Sequence, residues 1–136
     1  MSVEPRLALI ILAVSDLTRS LKFYREVFDW TQNVDLPVYA EFELPGGMRL
    51  GLYDREGFGR NAGRVPFAIP HGELASTEIY FYADDITTLI RRLEAADARR
   101  LNPLALRDWG DEAAYFADPD GNVLVVARSV GNGEDI

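Results

Sequence analysis

Residues 7–30, LALIILAVSDLTRSLKFYREVFDW, hold the reading that decides the fold. Leu7 to Val14 form a short, β-branched apolar run, long enough for a buried strand and too short for a helix. Asp16 comes next, where a helix N-cap belongs, with a carboxylate that accepts from the otherwise unpaired amides of the next turn. Leu17, Leu21, Tyr24 and Phe28 then recur at spacings of four, three and four, which is one face of a helix. The helix should end near Asp29 to Trp30.

Strands dominate the rest of the first half. Residues 33–36 and the alternating VYAEFEL at 38–44 lead through a Pro45-Gly46-Gly47 turn into MRLGLY at 48–53, so the last two make a hairpin. The second half repeats this order: TEIYFYA at 77–83 is a strand, and Asp84 or Asp85 caps a helix with the face Ile86, Leu89, Ile90 and Leu93. A short strand near 100–106, EAAYFA at 112–117, the turn Asp118-Pro119-Asp120-Gly121 and NVLVVAR at 122–128 complete it. In that turn Pro fixes its φ and Gly supplies a positive one.

Strand, helix, then three strands therefore occur twice. Val14-Ser15-Asp16-Leu17-Thr18 overlays Ala83-Asp84-Asp85-Ile86-Thr87 at an offset of 69, and Pro45-x-Gly47 overlays Pro119-x-Gly121 at an offset of 74. This is one duplication with two copies, not a solenoid. The expected organisation is a single domain over 1–136, built from modules at about 7–54 and 75–128. The Gly- and Pro-rich stretch 55–74 reads as a long connecting loop that either joins two halves or closes over a site. Residues 131–136, GNGEDI, lack an apolar anchor and read as a frayed tail.

Composition narrows the function. A chain of 136 residues suits one domain and a core that needs neither disulfide nor structural metal. Its net charge of −8 argues against nucleic acid and anionic membranes, which need clustered Lys and Arg. The absence of Cys removes disulfide scaffolds, Cys-type zinc sites and thiol nucleophiles, and a single His removes any site that needs two imidazoles. No stretch approaches the ~18 consecutive apolar residues of a membrane span. Leu7 to Val14 after Arg6 has the outline of a short signal peptide, but it runs straight into a helix start that needs it as a strand, so the expected location is cytoplasmic.

The duplicated order, with VSDLTRSLKFYREVFDW at 14–30 and YFADPDGNVLVV at 115–126, resembles the vicinal oxygen chelate superfamily over residues 7–128. Its members include glyoxalase I, extradiol dioxygenases, methylmalonyl-CoA epimerase and the fosfomycin- and bleomycin-resistance proteins. The resemblance implies an α+β fold of two βαβββ modules, forming a curled, cup-shaped mixed sheet with helices on the convex face and a ligand site in the concavity. Fold alone does not give function.

The family's enzymes hold a divalent metal with four side chains, from the first and last strands of each module. Carried over by the repeat, these positions are Leu9, Gly51, Glu78 and Val125. Leu, Gly and Val offer no donor atom and one carboxylate does not make a metal site, so neither metal nor cofactor is expected. His71 lies in the Pro/Gly linker, away from all four.

Strand alternation puts Arg49, Tyr53, Glu78, Tyr80 and Tyr82 on the concave face over an apolar floor of Leu9, Ile11, Val123 and Val125. The opposite faces (Ile10, Leu12, Val14; Leu50, Leu52; Ile79, Phe81; Leu124, Val126) are uniformly apolar, as packing beneath helices requires. Tyr80 and Tyr82 either contact a ligand or cover a half-exposed sheet. Glu78 is either paired structurally, with Arg49 the natural partner, or a catalytic base. Trp109, ahead of the seventh strand, is a stacking platform or a plug beneath a loop. Glu41 and Glu43 alternate on one face of the third strand and read as solvated edge.

Two functions remain. One is a metal-free binder of a small organic molecule, cationic or aromatic in character, resembling the bleomycin-resistance branch, with Arg49, Tyr53, Glu78, Tyr80, Tyr82 and Trp109 as ligand contacts and a homodimer as the expected assembly. The other is a glyoxalase-like lyase, isomerase or dioxygenase, with Glu78 as general base or with a non-standard metal site.

Overall fold

The computed structural model describes residues 3–130, so the expected tail at 131–136 lies outside the described residues. The first module runs β1 (Leu9–Val14), α1 (Leu17–Phe28), β2 (Thr31–Leu36), β3 (Tyr39–Glu43) and β4 (Arg49–Asp54). After α2 (Arg55–Ala62) come β5 (Glu78–Tyr82), α3 (Ile86–Ala95), β6 (Arg99–Leu106), β7 (Asp111–Ala117) and β8 (Val123–Ser129). The result is an α+β fold with two open, four-stranded mixed sheets, ordered β1-β4-β3-β2 and β5-β8-β7-β6.

The duplication holds down to the register. Leu9 lies opposite Arg49 across a parallel pair, and Glu78 lies opposite Val123 across the equivalent one. Both helix caps form as well: Asp16 Oδ1 accepts from the amide of Arg19 and Asp85 Oδ1 from that of Thr88, each at 3.1 Å. The β3–β4 hairpin closes through Leu44 N to Met48 O at 2.8 Å, with Gly46 and Gly47 both at φ 91°.

Alternation sorts the core. On the even-numbered faces Leu12, Val14, Leu50, Leu52, Leu124 and Val126 are buried, whereas Ile10, expected to be covered with them, is exposed. The chain forms two compact units, and Phe23–Phe28 of α1 belong to the second although the sequence places that helix in the first module. There Phe28 meets Phe81 of β5 with ring centroids 4.8 Å apart. The Tyr24 hydroxyl donates to Asp118 Oδ2 at 2.6 Å. Asp118 also accepts from the Asn122 amide and side chain and from the Asp120 amide, so this buried carboxylate is fully satisfied. Burial raises its pKa against those hydrogen bonds.

One element departs from the sequence reading. The stretch 55–74, expected to be loop, begins with the eight-residue helix α2, which ends on Gly63 at φ 88°. Gly57 and Gly59 look like helix breakers in sequence, yet both are buried where a Cβ would collide, with the Tyr53 ring at 57 and with Val65 at 59. Close packing overrides their low helix propensity. Among the described residues, no helix is long and apolar enough to cross a membrane.

Candidate functional site

Each sheet carries one polar cluster on one face, at odd-numbered positions in the first sheet and at even positions of β5 with odd positions of β7 in the second, built around a buried carboxylate. In the first sheet the carboxylate is Glu41, in the middle of β3 and directly opposite Gly51 of β4. Because position 51 has no side chain, the Tyr39 ring lies over it, where a Cβ would collide with the phenol. From there Tyr39 donates to Glu41 Oε1 at 2.6 Å, while Asn33 Nδ2 and Arg49 Nη1 each donate to Oε2 at 3.1 Å.

Glu41, expected at a solvated edge, is only 4% exposed. Three donors, one of them a cation, make that burial tolerable. Burial works against ionisation of Glu41, but the hydrogen bonds from Tyr39 and Asn33 and the Arg49 charge outweigh it and hold the carboxyl below its ordinary value. The Tyr39 phenol is driven up by burial and by its bond to Glu41. Arg49 thus pairs with Glu41, and not with Glu78 as the sequence suggested. Tyr53 packs on Tyr39 with centroids 5.1 Å apart, and its hydroxyl accepts from Asn61 Nδ2 of α2 at 3.4 Å. Glu43 is exposed, as expected.

In the second sheet the carboxylate is Asp111, the first residue of β7, paired with Ser129 of β8 and fully buried. The hydroxyls of Tyr80 and Tyr82 both donate to its Oδ2, at 2.5 and 2.9 Å. Trp109 sits in the turn closed by Gly110 N to Arg107 O, and its indole N–H donates to the Tyr80 hydroxyl at 2.9 Å. Burial and the bond to Asp111 push the Tyr80 phenol up to about 12, so it stays a donor at neutral pH. Asp111 Oδ1 is buried and has no hydrogen-bond partner. Beneath the rings lie Ala113, Val125 and Ala127, all fully buried, with Tyr80, Tyr115 and Val123 packed against them.

The site residues expected from sequence therefore fall into two groups. Arg49 and Tyr53 join Tyr39 and Glu41 in the first sheet; Tyr80, Tyr82 and Trp109 surround Asp111 in the second. Glu78 stands exposed on the same face of β5 as Tyr80 and Tyr82, where its charge adds to burial in raising the Tyr115 phenol. Of the two carboxylates at the cluster centres, Glu41 was expected at a solvated edge and Asp111 in no site role.

The sequence matches the Glyoxalase-like domain family over residues 7–131. The chain belongs to that family. Its fold is that of a glyoxalase-related enzyme from Fulvimarina pelagi, at 24% identity and a TM-score of 0.80, covering 96% of this chain and 95% of that one. A glyoxalase/bleomycin resistance protein/dioxygenase from Nocardioides gives a TM-score of 0.81 at 24% identity, covering 100% and 91%. A lactoylglutathione lyase from Agrobacterium tumefaciens is 25% identical with a TM-score of 0.68, covering 93% and 96%. No curated protein matches the chain in sequence.

The metal that the glyoxalase-like fold implies does not fit these residues. In the first module the ligand positions are Leu9 and Gly51, the latter filled by the Tyr39 phenol. In the second they are Glu78 and Val125, and Val125 is fully buried in the apolar cluster beneath Tyr80 and Tyr115. Among the described residues, no three His, Cys, Asp or Glu side chains gather as a metal would require.

Proposed function

We propose that this glyoxalase-like protein is a metal-free binder of a small organic molecule, in the manner of the family's bleomycin-resistance branch, with antibiotic sequestration as the activity. The observation that carries this reading is the constellation of Tyr80, Tyr82 and Trp109 around Asp111, an apolar-floored aromatic site with a few convergent polar groups. Donor-free side chains at Leu9, Gly51 and Val125 support it, because a binding protein has no need of the family's metal.

A homodimer forms part of the same proposal. The edge strand β6 leaves Leu104 and Leu106 exposed, and edges of this kind are commonly covered by pairing. Native mass spectrometry of the purified protein reads metal content, bound small molecules and subunit mass together. The expected species is a dimer free of stoichiometric metal, whose melting temperature chelators leave unchanged. One equivalent of a divalent metal per chain would overturn the reading.

A second reading, turnover with Glu78 as proton acceptor, draws on the exposure of Glu78 beside Tyr115. Conversion of a hemithioacetal that disappears in Glu78→Gln would favour it over sequestration.

A further inference from the structure

Asp111 stands out among the buried carboxylates. Asp118 is satisfied by four donor contacts, and Glu41 by three that include a cation. Asp111 has two phenols on one oxygen and nothing on the other, although it is completely buried. An ionised carboxylate out of water without a positive partner is costly, and an orphaned acceptor adds the desolvation of that atom. What is missing is a group that brings both a positive charge and an N–H.

The surroundings suit such a group. Tyr80 and Tyr82 stand edge to face with centroids 5.5 Å apart, and Trp109 is tied to Tyr80, so aromatic rings flank the carboxylate. Ring faces attract cations. Tyr82 is 53% exposed, and it borders an open cleft of about 550 Å³ with Ala83, Asp84, Arg128 and Ser129. The Arg128 charge there is matched by Glu112 at 2.9 Å, which leaves the Asp84 carboxylate to set the sign of the cleft.

We infer that the unpaired oxygen of Asp111 is the anchor for an organic ammonium ion, which enters past Tyr82 and is held between that carboxylate and the rings of Tyr80, Tyr82 and Trp109. The inference rests on the small-molecule-binding reading and gives it a substrate class, an aromatic or alkyl amine small enough for the cleft. The ammonium N–H donates to Asp111, the charge faces the rings, and Tyr82 turns aside to admit it.

Calorimetry with benzylammonium, benzyltrimethylammonium and benzyl alcohol tests this. Benzylammonium is expected to bind at least tenfold more tightly than the uncharged alcohol, with the trimethyl cation, which has no N–H, between them. Asp111→Asn should weaken benzylammonium at least tenfold and leave the alcohol unchanged. Tyr82→Phe, at a half-exposed position, removes one of the two donors on Oδ2, leaves more of the carboxylate's acceptor strength for the ammonium at Oδ1, and should tighten benzylammonium alone. If the alcohol and the ammonium bind equally, the pocket exists and the ammonium anchor does not. If Asp111→Asn or Tyr82→Phe leaves the preference for ammonium untouched, Asp111 is a structural carboxylate with a buried water on Oδ1. If no probe binds at millimolar concentration, the binding reading falls with the inference.

Discussion

Glu41 in the first sheet and Asp111 in the second are both buried carboxylates at odd-numbered strand positions, and both take phenolic hydrogen bonds. They differ in what completes them. Glu41 lies mid-strand opposite Gly51, so Tyr39 can fold over the gap and Arg49, on the same face, supplies a cation. Asp111 lies at the start of its strand, after a turn, with phenols on one oxygen and an orphan on the other. The repeat maps Gly51 onto Val125 and Arg49 onto Val123, so the second copy has neither the gap nor the cation. In the first sheet the vacancy at Gly51 closes under Tyr39, and in the second an Asp111 oxygen is left without a hydrogen-bond partner.

The largest effect should come from removing the closed cluster's charge. Glu41→Gln leaves Arg49 without its partner and weakens the bonds from Tyr39 and Asn33. A loss of about 2–3 kcal/mol is expected at pH 7, below the ~3–5 typical of fully buried pairs because Arg49 reaches water. Asp111→Asn has no cationic partner to strand and keeps an oxygen that can accept from Tyr80 and Tyr82, so it should change stability by less than about 1 kcal/mol. Urea denaturation compares them, and equal losses would erase the distinction between the clusters.

Acid titration sharpens the same contrast. The Glu41 carboxyl is held below its ordinary value of 4.5, so its contribution is complete above that pH and is lost as pH falls through the lower folded value. The wild-type and Glu41→Gln proteins should therefore converge in stability below pH 4.5. Asp118, whose pKa burial raises, titrates with the opposite sign in both and cancels from the difference. A gap that stays constant down to pH 3 would mean that Glu41 is not held as the charged partner of Tyr39, Asn33 and Arg49.

A smaller loss is expected from Gly51→Ala. The new Cβ displaces the Tyr39 hydroxyl from Glu41, a charge-assisted bond of about 1.5–3 kcal/mol, while alanine recovers ~0.5–1 over glycine in a strand. The net cost should be about 1–2 kcal/mol, and less in a Glu41→Gln background, since both changes strike the same bond. Full additivity of the two would show that Tyr39 does not link position 51 to Glu41.

The fold was legible because hydrophobic alternation and two copies of each cap and turn constrain one another. The offsets of 69 and 74 set the observed β1–β4 and β5–β8 registers. Glu41 escaped notice because charge on alternate residues of a strand looks like a wet edge. Yet the hairpin closed by Leu44 and Met48 already puts 41 opposite 51, which leaves a vacant position beside an acidic side chain. Asp111 carried no such signal: an Asp after Trp-Gly reads as turn chemistry, and its burial depends on Tyr80 and Tyr82, some thirty residues away in sequence. Helix α2 was hidden by Gly57 and Gly59, whose reason is the close approach of Tyr53 and Val65.

The smallest effect separates the two roles open to Trp109. As a wall of the second cluster, its structural tie is one hydrogen bond from the indole N–H to the Tyr80 hydroxyl, on a half-buried side chain. Trp109→Phe keeps an aromatic surface and removes that donor. The Tyr80 hydroxyl can still donate to Asp111, so the loss should be about 0.5–1 kcal/mol, read as a small fall in melting temperature. A plug beneath the 107–110 turn would behave differently, because replacing a large buried ring with a smaller one leaves a cavity. A loss above about 2 kcal/mol in Trp109→Phe would therefore make Trp109 part of the core and not an aromatic wall of the second cluster.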